Sequence, residues 1–529
     1  MTFTRTRART VAAAALLAAL TGAAAVVGPT AVAHTSDDVV TVSTGAVRGT
    51  VNGGHRTFLD IPYGASTIGS NRWAAPVRPP SWTGIRDATK TAPTCAQIQA
   101  SASTEDCLTV DVYTPPTTAG QHLPVMVWFY GGAYQVGSTS LLNPTPIVER
   151  GKAIVVEVNY RVGPLGFLAL PELATGSGAV GNYGLLDQQA GLRWVRQNAA
   201  AFGGNPSNVT LFGESAGGNS VCEQLQSPGA VGLFDRAISE SGACSGESGI
   251  SPAPKAQAEA AAVKYAASLG CTDPATRAAC MRALPTSTLL NSPLAGGYSL
   301  DVPWKPTVDG VTVPAQPEVA FRSGLFQRVP LLIGTNRDEG RLFVFLLKEL
   351  PKQGPLSPAD YVSFLQETFG INWTEVQEEY PLADYPTPDL AAATALGDGY
   401  FACGMSGAAT AIAAKHWPPV YAYEFTQTDN PSPFSPDNPW MPMGATHGAE
   451  VGYLFDAGTL TASQQRLSNR MIDAWTTFAR TGNPSTADLN WPSYTATGGR
   501  IQLLNADTTA TSTSFDDDHH CRFWASRSS

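Results

Sequence analysis

Residues 211–218 read Leu-Phe-Gly-Glu-Ser-Ala-Gly-Gly, a G-x-S-x-G pentapeptide around Ser215 that follows an apolar strand-like run and precedes a helix-compatible stretch. This is the context of a nucleophile elbow, in which a strand turns sharply into a helix at an exposed serine. Gly213 and Gly217 remove the Cβ atoms that would clash in so tight a turn. The N–H of Ala216 then lies at a helix N-terminus, facing any negative charge that develops there. A plain strand-to-helix turn is the alternative, because a chain with 51 glycines produces such pentapeptides by chance.

A second apolar segment upstream ends in a glycine pair. Residues 124–130 read Pro-Val-Met-Val-Trp-Phe-Tyr and are followed by Gly-Gly-Ala-Tyr at 131–134. In hydrolases with a nucleophile elbow, a loop after a central strand supplies N–H groups that complete the oxyanion hole. The segment is predicted to do the same here, with an ordinary Gly-Gly turn as the alternative.

Two later loops add a carboxylate and a histidine. The apolar run that begins at Val329 ends in a loop carrying Asp338 and Glu339, and His447 lies in a loop flanked by glycines. The order serine, acid, histidine is that of an α/β-hydrolase and differs from the two common serine-protease orders. A lone histidine in a glycine-rich loop is usually a bland surface residue, but the strand-end positions of the serine, the acid and the histidine favour a functional role for His447. The other six histidines precede the nucleophile, end a helix-like run or lie in the acidic tail: His34, His55, His122, His416, His519 and His520.

Landmarks along nearly the whole chain resemble the type-B carboxylesterase and cholinesterase family. Besides the elbow they are Asp60-Ile-Pro-Tyr-Gly64, Glu105-Asp-Cys-Leu108, Asn159-Tyr-Arg-Val-Gly-Pro-Leu-Gly-Phe167, Gly181-Asn-Tyr-Gly-Leu-Leu-Asp-Gln-Gln-Ala190, Trp194-Val-Arg-Gln-Asn198, Phe202-Gly-Gly-Asn-Pro206, Asn336-Arg-Asp-Glu-Gly340 and His447-Gly. Because so many motifs occur in the family's order, the resemblance to this family is specific. The resemblance implies an α/β-hydrolase fold and hydrolysis of carboxylic esters.

The same resemblance assigns the roles in the site. It implies Ser215 as the nucleophile, His447 as the general base and Glu339 as the acid that orients the histidine. The oxyanion hole then comprises the N–H groups of Gly132, Ala133 and Ala216. Many relatives have a third glycine where this chain has Ala133, a change that keeps the backbone N–H.

Three neighbouring residues receive supporting roles. Asp338 is interpreted as a loop-capping carboxylate. Glu214 either adds negative charge near His447 or is a buried, hydrogen-bonded glutamate. Ser241 matches a position that supports the triad in relatives.

Composition and the N-terminus predict an exported enzyme. Residues 1–33 combine Arg5, Arg7 and Arg9 with an apolar run and an Ala31-Val-Ala33 site, which is typical of a signal peptide, with a membrane anchor as the alternative. The net charge of −10, or −13 without those arginines, and the lack of a basic cluster argue against nucleic acid as a partner. We expect residues 34–529 to be a single secreted, extracellular domain with no stable membrane association.

Eight cysteines fit an oxidising compartment. The family resemblance implies Cys95–Cys107, Cys271–Cys280 and Cys403–Cys521 bridges. Cys222 and Cys244 form a fourth bridge or are free thiols. The Asp516-Asp-Asp-His-His-Cys521 cluster is interpreted as a solvated tail beside a disulfide, and no metal or cofactor is expected.

Short apolar runs predict a mostly parallel sheet buried on both faces, with six strand candidates at 125–130, 153–160, 209–212, 237–240, 329–334 and 420–425. Helical patterns at 185–198 and 216–226 alternate with them, which indicates α/β architecture. The long segments between Ser215, Glu339 and His447 are expected to build the walls of a gorge.

The prediction is a serine carboxylesterase that acts on a small-molecule ester through an acyl-enzyme. The loop between Cys95 and Cys107 lacks an aromatic residue, so a choline seat of the cation–π kind is missing from it. A serine peptidase or lipase-type activity on the same fold, and a non-catalytic cholinesterase-like binding protein, are the alternatives.

Overall fold

An eleven-stranded sheet carries the site. The computed structural model describes residues 37–100, 102–116, 121–245, 249–297, 299–416, 418–431, 435–497 and 499–527. The predicted signal peptide at residues 1–33 lies outside the described residues.

The strands of this sheet are numbered here in chain order. They are β1 (Thr50–Asn52), β2 (His55–Pro62), β3 (Thr109–Thr114), β4 (Leu123–Phe129), β5 (Ile154–Val158), β6 (Gly204–Glu214), β7 (Arg236–Glu240), β8 (Leu331–Asn336), β9 (Val420–Phe425), β10 (Ile501–Leu504) and β11 (Thr511–Ser512). Their order across the sheet is β11-β10-β9-β8-β7-β6-β4-β5-β3-β2-β1.

The central part of the sheet is parallel. Strands β5, β4, β6, β7, β8, β9 and β10 run in the same direction, and antiparallel strands extend the sheet at both ends. The middle strands are buried along almost their whole length, as expected where helices cover both faces.

Register brings the ends of the central strands to one edge. Gly213 pairs with Phe129, Glu214 with Glu240, and Glu240 in turn with Gly334. The loops that follow β4, β6, β7 and β8 therefore start side by side. In open α/β sheets this carboxyl edge is where ligands bind.

Helices cover the sheet and build the insertions. The longer ones are Thr145–Gly151, Tyr183–Asn198, Ala216–Gln226, Lys255–Ser268, Arg277–Ala283, Pro317–Ser323, Pro358–Phe369, Trp373–Glu379, Pro388–Gly397, Cys403–Ala413 and Ala462–Thr481, and the shorter ones include Gly163–Phe167, Thr286–Leu290, Gly340–Val344, Phe515–Asp518 and Cys521–Ala525. None of the helices within the described ranges is both long and apolar enough to cross a bilayer.

The α/β fold predicted from the sequence is confirmed. All six predicted strands are present, and the helix predicted at 216–226 has those bounds. The antiparallel strands β1 to β3 and β11 and the parallel strand β10 were not predicted. The described residues also form three small sheets outside the main one: Val39–Val42 with Gly45–Arg48 and Ile85–Asp87, Ala253–Pro254 with Thr307–Val308, and Thr94–Cys95 with Ser103–Thr104.

All eight cysteines are paired. The bridges are Cys95–Cys107, Cys222–Cys244, Cys271–Cys280 and Cys403–Cys521. The structure therefore contains the three pairs that the resemblance implied, and it joins Cys222 to Cys244 rather than leaving two thiols.

Candidate active site

Ser215 occupies a strained turn between β6 and the helix Ala216–Gln226. Its φ of 58° and ψ of −124° are unusual for a residue with a side chain. The turn is held by the Ser215 N–H, which donates to the carbonyl of Glu240 at 2.9 Å. A Cβ on Gly217 would overlap the carbonyl oxygen of Phe129, so the close approach of helix to strand requires glycine there.

The loop after β4 lies against this turn. Gly132 has φ 106°, and a Cβ there would overlap the Val136 carbonyl, so this position also requires glycine. Ala133 follows with φ 55° and lines the pocket at Ser215. None of the hydrogen bonds found within the described ranges uses the N–H of Gly132 or Ala133. Within the described ranges, these two N–H groups therefore have no protein acceptor, and they lie in the loop next to the Ser215 turn.

The Cys95–Cys107 loop supports that arrangement. The side chain of Gln97 is buried and pairs with the backbone of Gly137, donating to its carbonyl at 2.8 Å and accepting from its N–H at 2.9 Å. The loop that lacks the aromatic residue of a choline site therefore holds the glycine-rich loop in place.

His447 and Glu339 form a buried pair. The Nδ1 atom of His447 lies 2.5 Å from Oε2 of Glu339. The other oxygen of Glu339 accepts from the Thr335 hydroxyl at 2.9 Å and from the Asn336 N–H at 2.7 Å. The carboxylate is thus fixed by the end of β8 and fixes the imidazole in turn.

Asp338 has a different environment from its neighbour. Its carboxylate accepts from the Ala445 N–H at 2.8 Å and pairs with Arg341 at 2.7 Å. It joins the loop after β8 to the loop that carries His447 and makes no contact with the imidazole in the described part of the chain. This is the loop-capping role that the sequence predicted.

Glu214 lies beside the other ring nitrogen. Its Oε1 atom is 3.1 Å from Nε2 of His447, yet that oxygen has no partner in hydrogen-bond geometry. Of the two interpretations, the structure therefore favours a charge near the histidine over a hydrogen-bonded glutamate. Among the described residues, no hydrogen bond joins Ser215 Oγ to His447. The contact between the elbow and the histidine is made by Glu214, the residue before Ser215 in the chain.

Two further buried carboxylates were missed by the sequence analysis. Glu450 accepts from Ser241 Oγ at 3.4 Å and from the side-chain amide of Asn336. Glu240 accepts from the Trp475 indole at 3.1 Å. The only signal was position, since Glu450 follows His447 by three residues and Glu240 ends β7.

These charges alter the protonation of the site. Burial lowers the pKa of His447, but Glu214 and Glu339 outweigh it and raise that pKa to about 9. Burial raises the pKa of Glu214 to about 7, although the histidine opposes the rise. Burial, with Glu214 and Glu339 nearby, raises the pKa of Glu450 to about 8. The histidine therefore has a strong affinity for a proton.

A small, mainly apolar pocket of about 40 Å³ adjoins Ser215. The insertions supply most of its wall: Gly249, Ile250, Ser299, Leu300, Phe343, Tyr400 and Phe401. Phe343 and Phe401 also pack on the ring of His447, each at 4.9 Å between centroids.

An elbow serine, a carboxylate-bound histidine and a glycine-rich loop at the carboxyl edge of a mostly parallel sheet define an α/β-hydrolase. A sequence profile described as "Carboxylesterase family" matches residues 36–524, and the chain belongs to that family.

Relatives cover most of the chain. It is 34% identical to the para-nitrobenzyl esterase of Bacillus subtilis (strain 168), over 89% of this chain and 95% of the relative. It is 33% identical to the fumonisin B1 esterase of Sphingopyxis macrogoltabida, over 86% and 84%. It is also 33% identical to the human cocaine esterase, over 88% and 87%. The protein is a carboxylic ester hydrolase.

Proposed function

We propose that the protein hydrolyses carboxylic esters through an acyl-enzyme on Ser215, with His447 as general base and Glu339 as the acid that orients it. The observation that carries this proposal is the strained Ser215 turn next to a histidine whose Nδ1 is held at 2.5 Å by a buried carboxylate. Such a carboxylate selects the tautomer in which Nε2 accepts a proton.

The reaction then follows from these positions. Nε2 of His447 takes the hydroxyl proton as Ser215 Oγ bonds to the ester carbonyl carbon. The carbonyl oxygen becomes negative and accepts from the N–H groups of Gly132, Ala133 and Ala216. The C–O bond to the alcohol breaks, and the histidine returns the proton to the leaving oxygen. Water repeats the sequence on the acyl-enzyme and releases the acid.

Substrate choice is proposed to lie in the insertions. The relatives are named for esters as different as para-nitrobenzyl esters, fumonisin B1 and cocaine. In this chain the insertions supply most of the wall at Ser215. That wall is mainly apolar and encloses a pocket of only about 40 Å³. We expect short apolar acyl groups to fit best. The test is a p-nitrophenyl ester series from acetate to palmitate beside peptide substrates, and preference for a peptide would contradict the proposal.

Covalent labelling tests the nucleophile. An organophosphate should label Ser215, and S215A should lose both labelling and ester turnover. Ser241 is the matched control because it also follows a parallel strand at positive φ, 50°. We expect S241A to be labelled still. Peptide mapping by mass spectrometry distinguishes the two serines, and turnover by S215A would exclude the proposal.

Export is proposed from the N-terminus and the cysteines. Residues 1–33 are proposed to be removed as a signal peptide, which leaves one domain from His34 to Ser529. Four disulfide bridges are typical of an oxidising compartment, and the residues described from Asp37 onward belong to one compact unit. N-terminal sequencing of secreted protein should begin at or near His34. Full-length protein retained in membranes would contradict it.

A further inference from the structure

One turn in the second insertion forms a wall of the pocket. Residues Asp398–Ala402 make a single π-helical turn between two α-helices, a local irregularity that often lies at functional sites. Tyr400 and Phe401 of this turn line the pocket at Ser215. Phe401 also stacks on Phe343 at 5.5 Å and contacts His447. The position of the turn therefore affects both substrate space and the histidine.

Tyr400 also belongs to a second, larger cavity. This cavity has a volume of about 650 Å³, more than ten times that of the pocket at Ser215. The two spaces share Gly249, Ser299, Leu300 and Tyr400 as lining residues. Among these, Tyr400 has the largest side chain. Moving it would join a space suited to a short acyl group to one that accepts a long chain.

The C-terminal segment anchors both ends of this turn. At the start of the turn, the carboxylate of Asp398 lies 2.5 Å from Nδ1 of His519. It also accepts a hydrogen bond from the hydroxyl of Tyr380 at 2.9 Å. Directly after it, Cys403 is bridged to Cys521. The turn is thus held at one end by a charge pair and at the other by a covalent bond.

His519 extends this anchor to the central sheet. Its Nε2 lies 3.2 Å from Oε1 of Glu424 on β9, which also accepts from Arg337 at 2.9 Å. His519 is buried, so the interpretation of this cluster as a solvated tail was wrong for the histidine, although the three aspartates before it are exposed. The ring of His519 packs on Phe515, and each of its two nitrogens contacts a carboxylate. One side chain therefore links the wall turn to the sheet.

The electrostatics agree with a charged link. Burial lowers the pKa of His519, but Asp398 and Glu424 outweigh it and raise that pKa to about 10. Burial raises the pKa of Asp398, and the charge of His519 opposes that rise. Removing one partner of a buried pair of this kind is costly, because the other charge is left buried without compensation.

We infer that His519 is a positioning residue for the substrate pocket: by holding Asp398 against the sheet, it keeps Tyr400 between the Ser215 pocket and the larger cavity and so restricts the enzyme to short acyl groups. The inference rests on the proposed ester hydrolysis at Ser215. It assigns acyl-length selectivity to a residue that lies in the C-terminal segment.

The test compares two adjacent histidines. His520 is the matched control, because its Nδ1 also lies 2.6 Å from a carboxylate, that of Glu379, which is outside the wall turn. H519Q and H520Q are assayed with p-nitrophenyl butyrate and p-nitrophenyl decanoate, well below both melting temperatures and with active sites titrated by an organophosphate. We expect the butyrate-to-decanoate ratio of kcat/KM to fall by about fivefold or more in H519Q, since pocket fit at the level of one methylene is worth ~10-fold or more. H520Q should keep the ratio within about twofold.

Y400A checks the wall itself and should lower the same ratio while His519 is unchanged. A ratio that stays at the wild-type value in H519Q, whatever happens to its melting temperature, overturns the inference. So does an equal fall in H520Q.

If H519Q does not fold, E424Q carries the test. It removes the negative charge that Nε2 of His519 faces and leaves Asp398 in contact, so we expect a fall of about threefold, outside the range allowed for H520Q. An unchanged ratio overturns the inference. Failure of the proposed function would look different, because S215A would then turn over both esters.

Discussion

Two buried histidines in this protein have nearly the same surroundings. His447 lies between Glu339 at 2.5 Å and Glu214 at 3.1 Å. His519 lies between Asp398 at 2.5 Å and Glu424 at 3.2 Å. In both places the carboxylates raise the histidine pKa against the effect of burial. Charge alone therefore does not distinguish the catalytic candidate from a structural link.

The difference lies at Nε2 and in what surrounds it. At His519 the Nε2 atom makes a hydrogen bond to Glu424, so both nitrogens are committed. At His447 the Glu214 oxygen lies close but outside hydrogen-bond geometry. His447 also packs on two pocket residues, Phe343 and Phe401. In the proposed mechanism, the nitrogen without a hydrogen bond, Nε2 of His447, is the one that accepts the serine proton.

Exchanging each histidine for glutamine gives the largest contrast. H447Q removes the base, so kcat should fall by ~10⁶-fold, the scale for such a residue in a serine hydrolase. H519Q leaves Nε2 of His447 in place, so its kcat for the butyrate ester should fall by less than about tenfold. Single-turnover kinetics on both variants measure this. Similar losses in the two variants would remove the distinction drawn above.

The neighbouring acids Asp338 and Glu339 give the next largest effect. E339Q removes the charge that orients His447, so kcat should fall by ~10⁴-fold with little change in folding. D338N retains a side chain that can hold the Ala445 loop, so it should keep most activity and lose about 1 kcal/mol of unfolding free energy at most. Steady-state kinetics with thermal melts decide this. An inactive D338N beside an active E339Q would reassign the acid.

Glu214 sharpens the comparison through pH. The base must be neutral to accept a proton, and the pKa of His447 at about 9 is raised by Glu214 and Glu339. E214Q removes one of these charges and lowers that pKa, so the acid limb of kcat/KM against pH should move down by about one unit. Because Glu214 and His447 titrate together, the limb reports the pair. An acid limb that moves to higher pH, or does not move, would contradict the interpretation that Glu214 raises the pKa of His447.

The last comparison concerns stability and not activity, at His519. H519Q leaves Asp398 buried without its partner, which should cost about 3–5 kcal/mol, whereas H520Q breaks a partly exposed pair and should cost about 1 kcal/mol or less. The folded-state pKa of His519 is raised from 6.5 to about 10. Its contribution is therefore complete below about pH 6.5 and is lost as the pH rises through about 10.

Denaturant unfolding of the wild type and H519Q at pH 6, 8 and 9.5 checks this. The difference in unfolding free energy between the wild type and H519Q should be largest at pH 6 and should decrease toward pH 9.5. A difference that grows with pH would mean that His519 is neutral in the folded protein.

Local features of this chain were readable without coordinates. The Ser215 turn depends on neighbouring glycines that a steric argument identifies, and Gly217 does lie against the Phe129 carbonyl. The buried central strands appear as short apolar runs because both faces are covered. The edge strands β1 and β11 escaped notice because they are short or half exposed, and their patterns resemble loops.

The sequence by itself determined the elbow, the parallel strands and the loops that carry the acid and the histidine, because each of these is a local pattern. The order of serine, acid and histidine is then read directly along the chain. Only the tertiary structure decided that Glu214 faces Nε2 of His447, that Glu450 contacts Asn336 and Ser241, and that Tyr400 lines two cavities. It also decided that His519 is a buried link and not part of a solvated tail. These contacts join residues 95 or more positions apart in the chain, and their distances depend on the register of the sheet and the path of the insertions, which no local pattern encodes.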